Sequence, residues 1–474
     1  MKTSGYVPEF QAVVLAGGKG SRFTDVTQNK AKCLLPVGNL PLLWYPLNML
    51  QRNGFQEVIV VVSEACKSEV NGLAKRYGLD MKLDVVALSA QEDPGTAEAL
   101  RLVHDRISSP RVIVLSGDLI TDLKLHHLTD LHRAHRSALT ALFAQNTLDH
   151  KTIPVPGPKS KPKKEKDFVG IDKGTNQLCY ISSEADLDEF LSVRRSLLME
   201  HPRLSVFTNL IDAHFYIFES WVLDFLAKDE SISSIKGELV PHLVKKQHSK
   251  NPDQNQPKPE DDVSDLKNNP NKSLHADDPQ DIFSYMCTDS MADKSQELST
   301  WTDHTGDLKG AYRNRPLRVY AHVMDTGTCL RANNLYAYCE LNRQISRWMN
   351  ALAPHREPVH LHPNSKVEPR AQVGVECQIG EGSFVSNKTT LKNSILGVNC
   401  KVDEKVKLLN CIIMDNVHVK EGCQITGSLI CDGVIVPERC EIKDCIVGKS
   451  YKFVVGGKHA NETLGDDQNR MMEI

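Results

Sequence analysis

The chain has 474 residues, with 57 lysines and arginines against 60 aspartates and glutamates. This length is typical of two or three domains, and the balanced charge gives no overall basic field that would attract nucleic acid or an anionic membrane. The longest aliphatic run, Val58 to Val62, is far too short to cross a bilayer, and the N-terminus lacks an apolar signal core. We therefore expect a cytosolic protein with no direct nucleic-acid partner and no membrane partner.

The first part of the chain alternates short aliphatic strands with amphipathic stretches. The strands "AVVLAGG", "EVIVVVSE" and "RVIVLSGD" are separated by segments with helical periodicity. This alternation favours a Rossmann-like sheet with helices on both faces, whose ligands bind beyond the carboxyl ends of the strands. We assign an α/β domain to residues 10–245 and 301–352.

Two polar segments interrupt this pattern. Residues 154–167 are rich in proline and lysine, which predicts an exposed loop. Residues 250–281 are charged and punctuated by proline, with too little apolar surface to fold. The sequence therefore predicts a flexible linker or insertion over residues 250–300, after which "PLRVYAHVMDTGT" resumes the strand pattern.

The C-terminal part contains a regular repeat of aliphatic residues at steps of five or six. Every third step falls 17 residues further on, at Ile379, Leu396, Ile413, Ile430 and Val447. A hexapeptide rhythm with three steps per turn is typical of a parallel β-helix. We predict a left-handed parallel β-helix over residues 358–455 and a C-terminal tail over residues 456–474.

Thirteen cysteines occur in the chain, and none are paired as C-x-x-C. Seven of them lie between Cys377 and Cys445, inside the repeat, so we expect small core residues rather than disulfides or a metal centre. Hexapeptide β-helices also occur in acyltransferases that use a histidine base. His418 stands beside the inward Val419 and should point outward, so a surface histidine is the better interpretation.

A glycine-rich loop, "LAGGKGSRF" at Leu15 to Phe23, follows the first strand. It has no third glycine for a dinucleotide fingerprint and no Walker spacing, and by itself it could be only a tight strand-to-helix connection. The longer stretch through "QNKAKCLLPVGN" resembles the signature of sugar-nucleotide pyrophosphorylases, which join a sugar phosphate to a nucleoside triphosphate.

This resemblance implies a set of site residues. Arg22 and Lys32 match the cations that stabilise the transferring phosphate, and Asp118 and Asp325 match the magnesium-binding aspartates. The positions that match nucleotide-contacting residues are Leu15, Ala16, Gly17, Gly18, Gly20, Ser21, Gly95 and Thr96.

Other positions depart from the family pattern. Asp25, Ala31 and Cys33 replace prolines, and Ala185 replaces the lysine that reaches the sugar phosphate. Loss of that lysine removes a charge-assisted hydrogen bond worth about 1.5–3 kcal/mol. We therefore expect a vestigial site in a chain that is not an enzyme and needs no cofactor, with residual nucleotide or magnesium binding left open.

Several stretches resemble a more specific family, the gamma subunits of the guanine-nucleotide exchange factor for eukaryotic translation initiation factor two. They are "LLPVGNLPLLWYPLNML", "LSGDLITD", "IDAHFYIF", "SISSIKGELVPHLVKKQ" and the final "MEI". Fewer than 30 residues follow Val447, so we do not expect the helical exchange domain of the related epsilon subunits. The resemblance implies a non-catalytic subunit that pairs with the epsilon subunit and the other subunits, with the initiation factor as client. The alternative is an active mannose- or glucose-1-phosphate nucleotidyltransferase.

Overall fold

The computed structural model describes most of the chain. The described residues are 8–18, 20, 23, 26, 30–89, 94–146, 155–158, 166–187, 191–249, 282–286, 317–356, 360–449 and 451–465. Within these ranges no helix combines the length and the apolar character that a membrane crossing requires.

The α/β domain is built on a mixed sheet with a small second sheet beside it. Its described strands are β1 (Phe10–Leu15), β2 (Pro36–Val37), β3 (Leu40–Pro41), β4 (Glu57–Ser63), β5 (Lys82–Leu88), β6 (Arg111–Ser116), β7 (Leu119–Thr121), β8 (Leu139–Gln145), β9 (Asp167–Asp172), β10 (Leu178–Ser183), β11 (Leu204–Phe207), β12 (Leu210–Glu219), β13 (Val319–Met324) and β14 (Cys329–Arg331). The main sheet has the order β13-β8-β12-β6-β1-β4-β5, and the second sheet has the order β10-β9-β11.

Parallel pairing dominates the main sheet, but one strand reverses it. β1 lies between β4 and β6 and is parallel to both, whereas β12 runs antiparallel to β6 and β8. The predicted alternation of strands and helices is confirmed, and the second sheet, which precedes β12 in the chain, replaces a simple helical crossover. The carboxyl ends of β1 and β6 lie side by side, because Leu15 is paired with Ser116.

Helices cover both faces of the main sheet. The α-helices that lie within the described residues of this domain are α1 (Trp44–Arg52), α2 (Lys67–Tyr77), α3 (Thr96–Arg101), α4 (His126–His135), α5 (Arg195–Glu200), α6 (Ser220–Lys228), α7 (Val240–Lys246) and α8 (Leu335–Leu352). Alternate residues of β1 belong to different core clusters: Val14 packs with α1 and α8, and Val13 packs with α6 and α7. Buried strands of this kind contain a continuous apolar run, as Val58 to Val62 in β4 illustrate.

The C-terminal domain is the predicted parallel β-helix. Its strands are β15 (Lys366–Val367), β16 (Gln372–Val373), β17 (Gln378–Ile379), β18 (Phe384–Val385), β19 (Thr390–Lys392), β20 (Ile395–Leu396), β21 (Lys401–Val402), β22 (Lys407–Leu409), β23 (Ile412–Ile413), β24 (His418–Val419), β25 (Gln424–Thr426), β26 (Leu429–Ile430), β27 (Ile435–Val436), β28 (Glu441–Lys443), β29 (Ile446–Val447), β30 (Lys458–Ala460) and β31 (Thr463–Leu464). They form three parallel sheets, one for each side of the prism.

The register of the coils follows the 17-residue cycle. Leu396 pairs with Ile413, Ile413 with Ile430, and Ile430 with Val447, and all four side chains are buried inside the prism. Cys377, Cys411, Cys423 and Cys445 lie in the same interior. The cysteine cluster is therefore part of the packed core of the coils.

One side of the prism packs against the α/β domain. Outward-facing Ile395, Ile412, Leu429 and Ile446 belong to the same hydrophobic cluster as α1 and α8. Lys30 of the α/β domain adds an ion pair, its Nζ lying 2.9 Å from Asp415 Oδ2. The two domains are thus joined by an apolar stripe with a charged contact beside it.

Two boundaries differ from the expectation. The coils continue past residue 455, since β30 pairs with β28 and β31 with β29. Within the expected linker, Ile282–Tyr285 form a short 3-10 helix whose Ile282 is fully buried in the α/β core. Apart from Met286, the remaining residues of that segment lie outside the described ranges.

Candidate functional site

A cleft of about 210 Å³ opens at the carboxyl ends of β1 and β6. It forms where three chain segments meet: the end of β1, the end of β6 and the turn before α3. The predicted site residues that line it are Leu15, Ala16, Gly17, Gly18, Lys32, Gly95, Thr96 and Asp118. The fold therefore gathers residues that are more than a hundred positions apart in the chain, as expected at this edge of a parallel sheet.

Several of the residues named from the sequence are not part of the described lining. Gly20 is described but does not line the cleft. Ser21 and Arg22, and the departing residue Asp25, lie outside the described residues.

Asp118 is the most heavily bonded group in the cleft. It is 5% exposed and accepts hydrogen bonds from Ser116 Oγ at 2.6 Å and from Arg331 Nε at 2.9 Å. Lys32 Nζ forms an ion pair with its second oxygen, and Arg331 Nη2 lies 3.2 Å from that same oxygen. Burial opposes ionisation of this carboxyl group, yet the charges of Arg331 and Lys32 hold its pKa well below the ordinary value.

Arg331 is a site residue that the sequence analysis did not identify. It ends β14, which pairs antiparallel with β7 so that Arg331 lies opposite Leu119. The backbone N–H of Ala332 also donates to the carbonyl of Asp118, at 3.0 Å. The only signal in the sequence is a charged residue inside the apolar stretch "CLRA", and nothing in one sequence indicates its partner.

The second predicted magnesium ligand has a different environment. Asp325 follows β13, is exposed, and does not line the cleft. Its carboxylate accepts a long hydrogen bond from Gln145 Nε2, at 3.5 Å. Asp118 is thus joined to two cations, and the structure does not bring a second carboxylate to it from Asp325.

The predicted nucleotide-contacting turn is bonded to another part of the chain. The backbone N–H of Ala97 donates to the carbonyl of Ser233 at 3.0 Å, and Thr96 Oγ1 accepts from the N–H of Ile235 at 2.9 Å. The N–H of Gly95 donates to Glu98 Oε2 at 3.0 Å. A Cβ added to Gly95 would lie 2.1 Å from the oxygen of Ser233, so glycine permits this close approach.

The floor of the cleft is formed by an irregular part of β12. The pairing of β12 with β8 shifts between Asp212 and Tyr216, and His214 adopts a left-handed backbone with φ of 49°. Tyr216 OH donates to Asp212 Oδ2 at 2.6 Å. Burial raises the pKa of Asp212, while burial and the nearby charge of Arg331 hold the pKa of His214 well below its ordinary value. His214 is therefore a neutral group beside the ion pair.

The described positions that depart from the pyrophosphorylase pattern carry no positive charge themselves. Cys33 lines the cleft, where a hydrogen bond with Cys66 and burial raise the pKa of its thiol well above the ordinary value. Glu184 pairs with Lys166 at 3.3 Å, and the N–H of Ala185 donates to Ser183 Oγ at 3.4 Å. The described cations that line the cleft, Lys32 and Arg331, are both paired with Asp118.

Two protein families match successive parts of the chain. Residues 11–152 match the family described as "Nucleotidyl transferase", and residues 356–459 match "EIF2B subunit epsilon LbH domain", the left-handed β-helix of that subunit. Fold and site thus define a class of protein in which a nucleotidyltransferase-type α/β domain is followed by a left-handed β-helix.

Curated relatives identify the family within this class. The translation initiation factor eIF2B subunit gamma of Schizosaccharomyces pombe is 32% identical over 389 residues, covering 81% of this chain and 74% of the relative. The subunit of the same name from Dictyostelium discoideum is 28% identical over 422 residues, covering 83% and 88%. The mannose-1-phosphate guanylyltransferase of Mycobacterium tuberculosis is 29% identical over only 132 residues, 28% of this chain and 36% of the relative. The chain belongs to the eIF2B gamma subunit family.

Proposed function

We propose that this chain is a subunit of an eIF2B complex in the cytosol, where it pairs with an epsilon subunit and promotes GDP–GTP exchange on eukaryotic initiation factor two. In this proposal it catalyses no nucleotidyl transfer itself and requires no cofactor. Family membership over most of the chain supports the assignment to the complex. The absence of catalysis rests on the geometry of the cleft.

The observation that carries this proposal is the double ion pair at Asp118. A carboxylate that binds magnesium must offer an oxygen to the ion, and both oxygens of Asp118 are bonded to cations of the chain itself. Lys32 and Arg331 are correspondingly engaged by Asp118 rather than directed to a phosphate. Binding a nucleotide with magnesium would require these buried contacts to separate, which is costly because unpaired buried charges are strongly destabilising.

The turn at Gly95 supports the same conclusion. Active-site turns bind phosphate through backbone N–H groups that point to the ligand. Here the N–H groups of Gly95 and Ala97 are bonded to Glu98 and Ser233. The chain thus supplies internally the acceptors that a nucleotide would otherwise provide.

A subunit whose role is assembly needs rigid surfaces, and the two-domain body supplies them. The apolar stripe of Ile395, Ile412, Leu429 and Ile446 fixes the β-helix on the α/β domain. Repeating coils present flat sides, and such extended surfaces are well suited to partner chains. The exchange reaction itself would then occur on the partner subunits.

The test compares two activities of one preparation. The chain is reconstituted with its partner subunits, and release of labelled GDP from initiation factor two is measured beside pyrophosphate release from sugar 1-phosphates and nucleoside triphosphates. Gly18→Ala is the diagnostic variant. Its added methyl group meets no other atom, yet it lies in the glycine-rich loop where a bound nucleotide would be contacted. We expect GDP release that requires the chain and is unchanged by this variant, and no pyrophosphate release. GDP release that does not require the chain would contradict the proposal.

The second candidate function is an active sugar-1-phosphate nucleotidyltransferase. It is favoured by the cleft's retention of Gly17, Gly18, Lys32 and Asp118 in one place. Pyrophosphate release that depends on both substrates and is reduced by Gly18→Ala would establish this function and overturn the non-catalytic assignment.

A further inference from the structure

A cluster of metal-ligating side chains lies outside the cleft, beside the small second sheet. It contains Cys179 on β10, His201 directly after α5, and His248 two residues after α7. One ligand atom from each residue lies within 4.8 Å of the other two. Cys179 and His201 are buried, and the side chain of His248 is 12% exposed. Three separate elements therefore direct soft or borderline donors to one point.

A carboxylate orients the ring of His201, and another lies near the ring of His248. His201 Nδ1 donates to Asp172 Oδ2 at 2.9 Å, and His248 Nδ1 lies 4.0 Å from Glu200 Oε2. With each Nδ1 facing a carboxylate, Nε2 is the atom that each ring offers to a metal. Zinc-binding histidines in proteins are held in this way, since the carboxylate fixes the tautomer and makes the free nitrogen more basic.

The backbone around the cluster is held in place by buried hydrogen bonds. Gln247, which precedes His248, donates through Nε2 to the carbonyl of Leu178 and accepts the N–H of Val319 at 3.1 Å. Asp172 is itself fixed, because its Oδ1 accepts the N–H of Gly174 at 2.9 Å. The donors of the cluster are therefore positioned before any ligand binds.

We propose that Cys179 Sγ, His201 Nε2 and His248 Nε2 bind one zinc ion, with water as the fourth ligand. A thiolate with two imidazoles is a ligand set typical of zinc, and three protein ligands with a water complete its tetrahedral geometry. Donor atoms around tetrahedral zinc are separated by about 3.3–3.7 Å, so the side chains need to move together by only about 1 Å. On binding, the thiol of Cys179 loses its proton to solvent as the sulfur–zinc bond forms.

The zinc ion would act as a structural clamp. It would join the end of α5 and the end of α7 to β10. Its ligand His248 lies two residues before the polar segment that starts at residue 250. This inference does not depend on the proposed role in the exchange complex, because the ligands lie outside the cleft and outside the stripe that joins the domains.

The experiment measures metal on the full chain. Zinc content is determined after purification without chelator, and the metal-free protein is then titrated with Co²⁺, whose thiolate complexes absorb in the near ultraviolet. The variants are Cys179→Ser and His248→Gln, with Cys339→Ser as the control, because Cys339 is also buried but belongs to α8 and not to the cluster. Circular dichroism establishes that each variant is folded.

We expect one zinc per chain in the unmodified protein and in Cys339→Ser, and loss of zinc in the folded Cys179→Ser and His248→Gln variants. We also expect the thiolate-to-cobalt absorption to disappear in Cys179→Ser. If Cys179→Ser does not fold, the zinc content of His248→Gln and the cobalt spectrum of the unmodified chain test the proposal. Zinc retained in His248→Gln, or no metal and no thiolate-to-cobalt absorption in the unmodified chain, would overturn the proposal.

Discussion

Arg331 Nε lies 2.9 Å from Asp118 Oδ1, so the carboxylate that the sequence marks as a magnesium ligand is held by a buried arginine of the same chain. Lys32 occupies the other oxygen. A buried ion pair of this kind matters for stability chiefly because removal of one partner leaves the other charge only partly compensated. Separation of these buried charges should therefore destabilise the α/β domain.

The first prediction concerns this ion pair. Arg331→Met should lower the free energy of unfolding by about 3–5 kcal/mol, because Asp118 keeps only Lys32 as a charged partner in a buried place. The double variant Asp118→Asn, Arg331→Met should lose less unfolding free energy than the two single variants lose together. The difference should be about 0.5–3 kcal/mol. Urea unfolding followed by circular dichroism measures both quantities.

The control for this prediction is Arg347→Met. Arg347 pairs with Glu376 on the surface, where solvent screens the interaction, so no measurable loss is expected. Equal losses of unfolding free energy in the two arginine variants would contradict this prediction. Strictly additive losses in the double variant would also contradict it, because they would mean that Arg331 and Asp118 do not stabilise each other.

The second prediction concerns the dependence of stability on pH. The pKa of His214 is well below its ordinary value in the folded chain because the ring is buried and faces Arg331. In the unfolded chain the pKa is about 6.5, so below that pH the unfolded state binds a proton that the folded state does not. Stability should therefore fall as the pH falls below about 6.5, by up to about 1.4 kcal/mol per pH unit.

His214→Asn isolates this contribution, since asparagine tolerates the left-handed backbone at this position. Unfolding free energies at pH 7.5, 6.5 and 5.5 should decline less steeply in this variant than in the unmodified chain. His418→Asn is the matched control, because His418 is partly exposed and bonded to Asp403. Identical slopes for His214→Asn and the unmodified chain would be inconsistent with a buried neutral ring.

Much of the candidate site followed from the sequence, because its residues follow strands directly. Gly17, Gly18 and Asp118 come at the carboxyl ends of β1 and β6, and parallel strands bring such ends together whatever the remaining sequence. Arg331 and Ser233 could not be predicted, because each contacts the site from a distant part of the chain. Arg331 lies at the end of β14, and Ser233 lies in the segment before α7. A single sequence contains no local pattern for these long-range contacts.

The repeat of the β-helix was predictable for a similar reason. Each coil buries aliphatic residues at a fixed period and contacts only the neighbouring coils. The register of the strands can therefore be predicted from the local repeat alone. The outward stripe that includes Ile412 was not recognised, although the doublets "SILG", "CIIM", "SLIC" and "CIVG" contain its residues. Two adjacent aliphatic residues in a strand place one on each face, and in these four coils the outward residue is covered by the α/β domain.

The third prediction tests this stripe. Ile412→Ala should reduce the free energy of unfolding by about 2–5 kcal/mol, since Ile412 is buried between the β-helix and the α/β domain. Ile435→Ala is the matched control, because Ile435 is 59% exposed on another side of the prism, and its replacement should change stability by less than about 0.5 kcal/mol. Thermal unfolding and limited proteolysis measure the effect. Similar values for the two variants would mean that the stripe does not hold the domains together.

The fourth prediction concerns the turn before α3. Gly95→Ala should destabilise the chain by about 1–3 kcal/mol, because its methyl group would meet the carbonyl oxygen of Ser233 and force the two segments apart. Gly18→Ala has open space around its added methyl group and should be close to neutral. Differential scanning calorimetry of the two variants provides the comparison. A neutral Gly95→Ala would show that the turn and the segment at Ser233 are not in close contact.

The proposed function makes this chain one subunit of an assembly of different chains. Its most direct test is the native mass and subunit composition of the protein, isolated gently from its own cells and analysed by native mass spectrometry. We expect a hetero-oligomer that contains an epsilon-type subunit beside this chain. A homo-oligomer or a monomer without partner chains would contradict it.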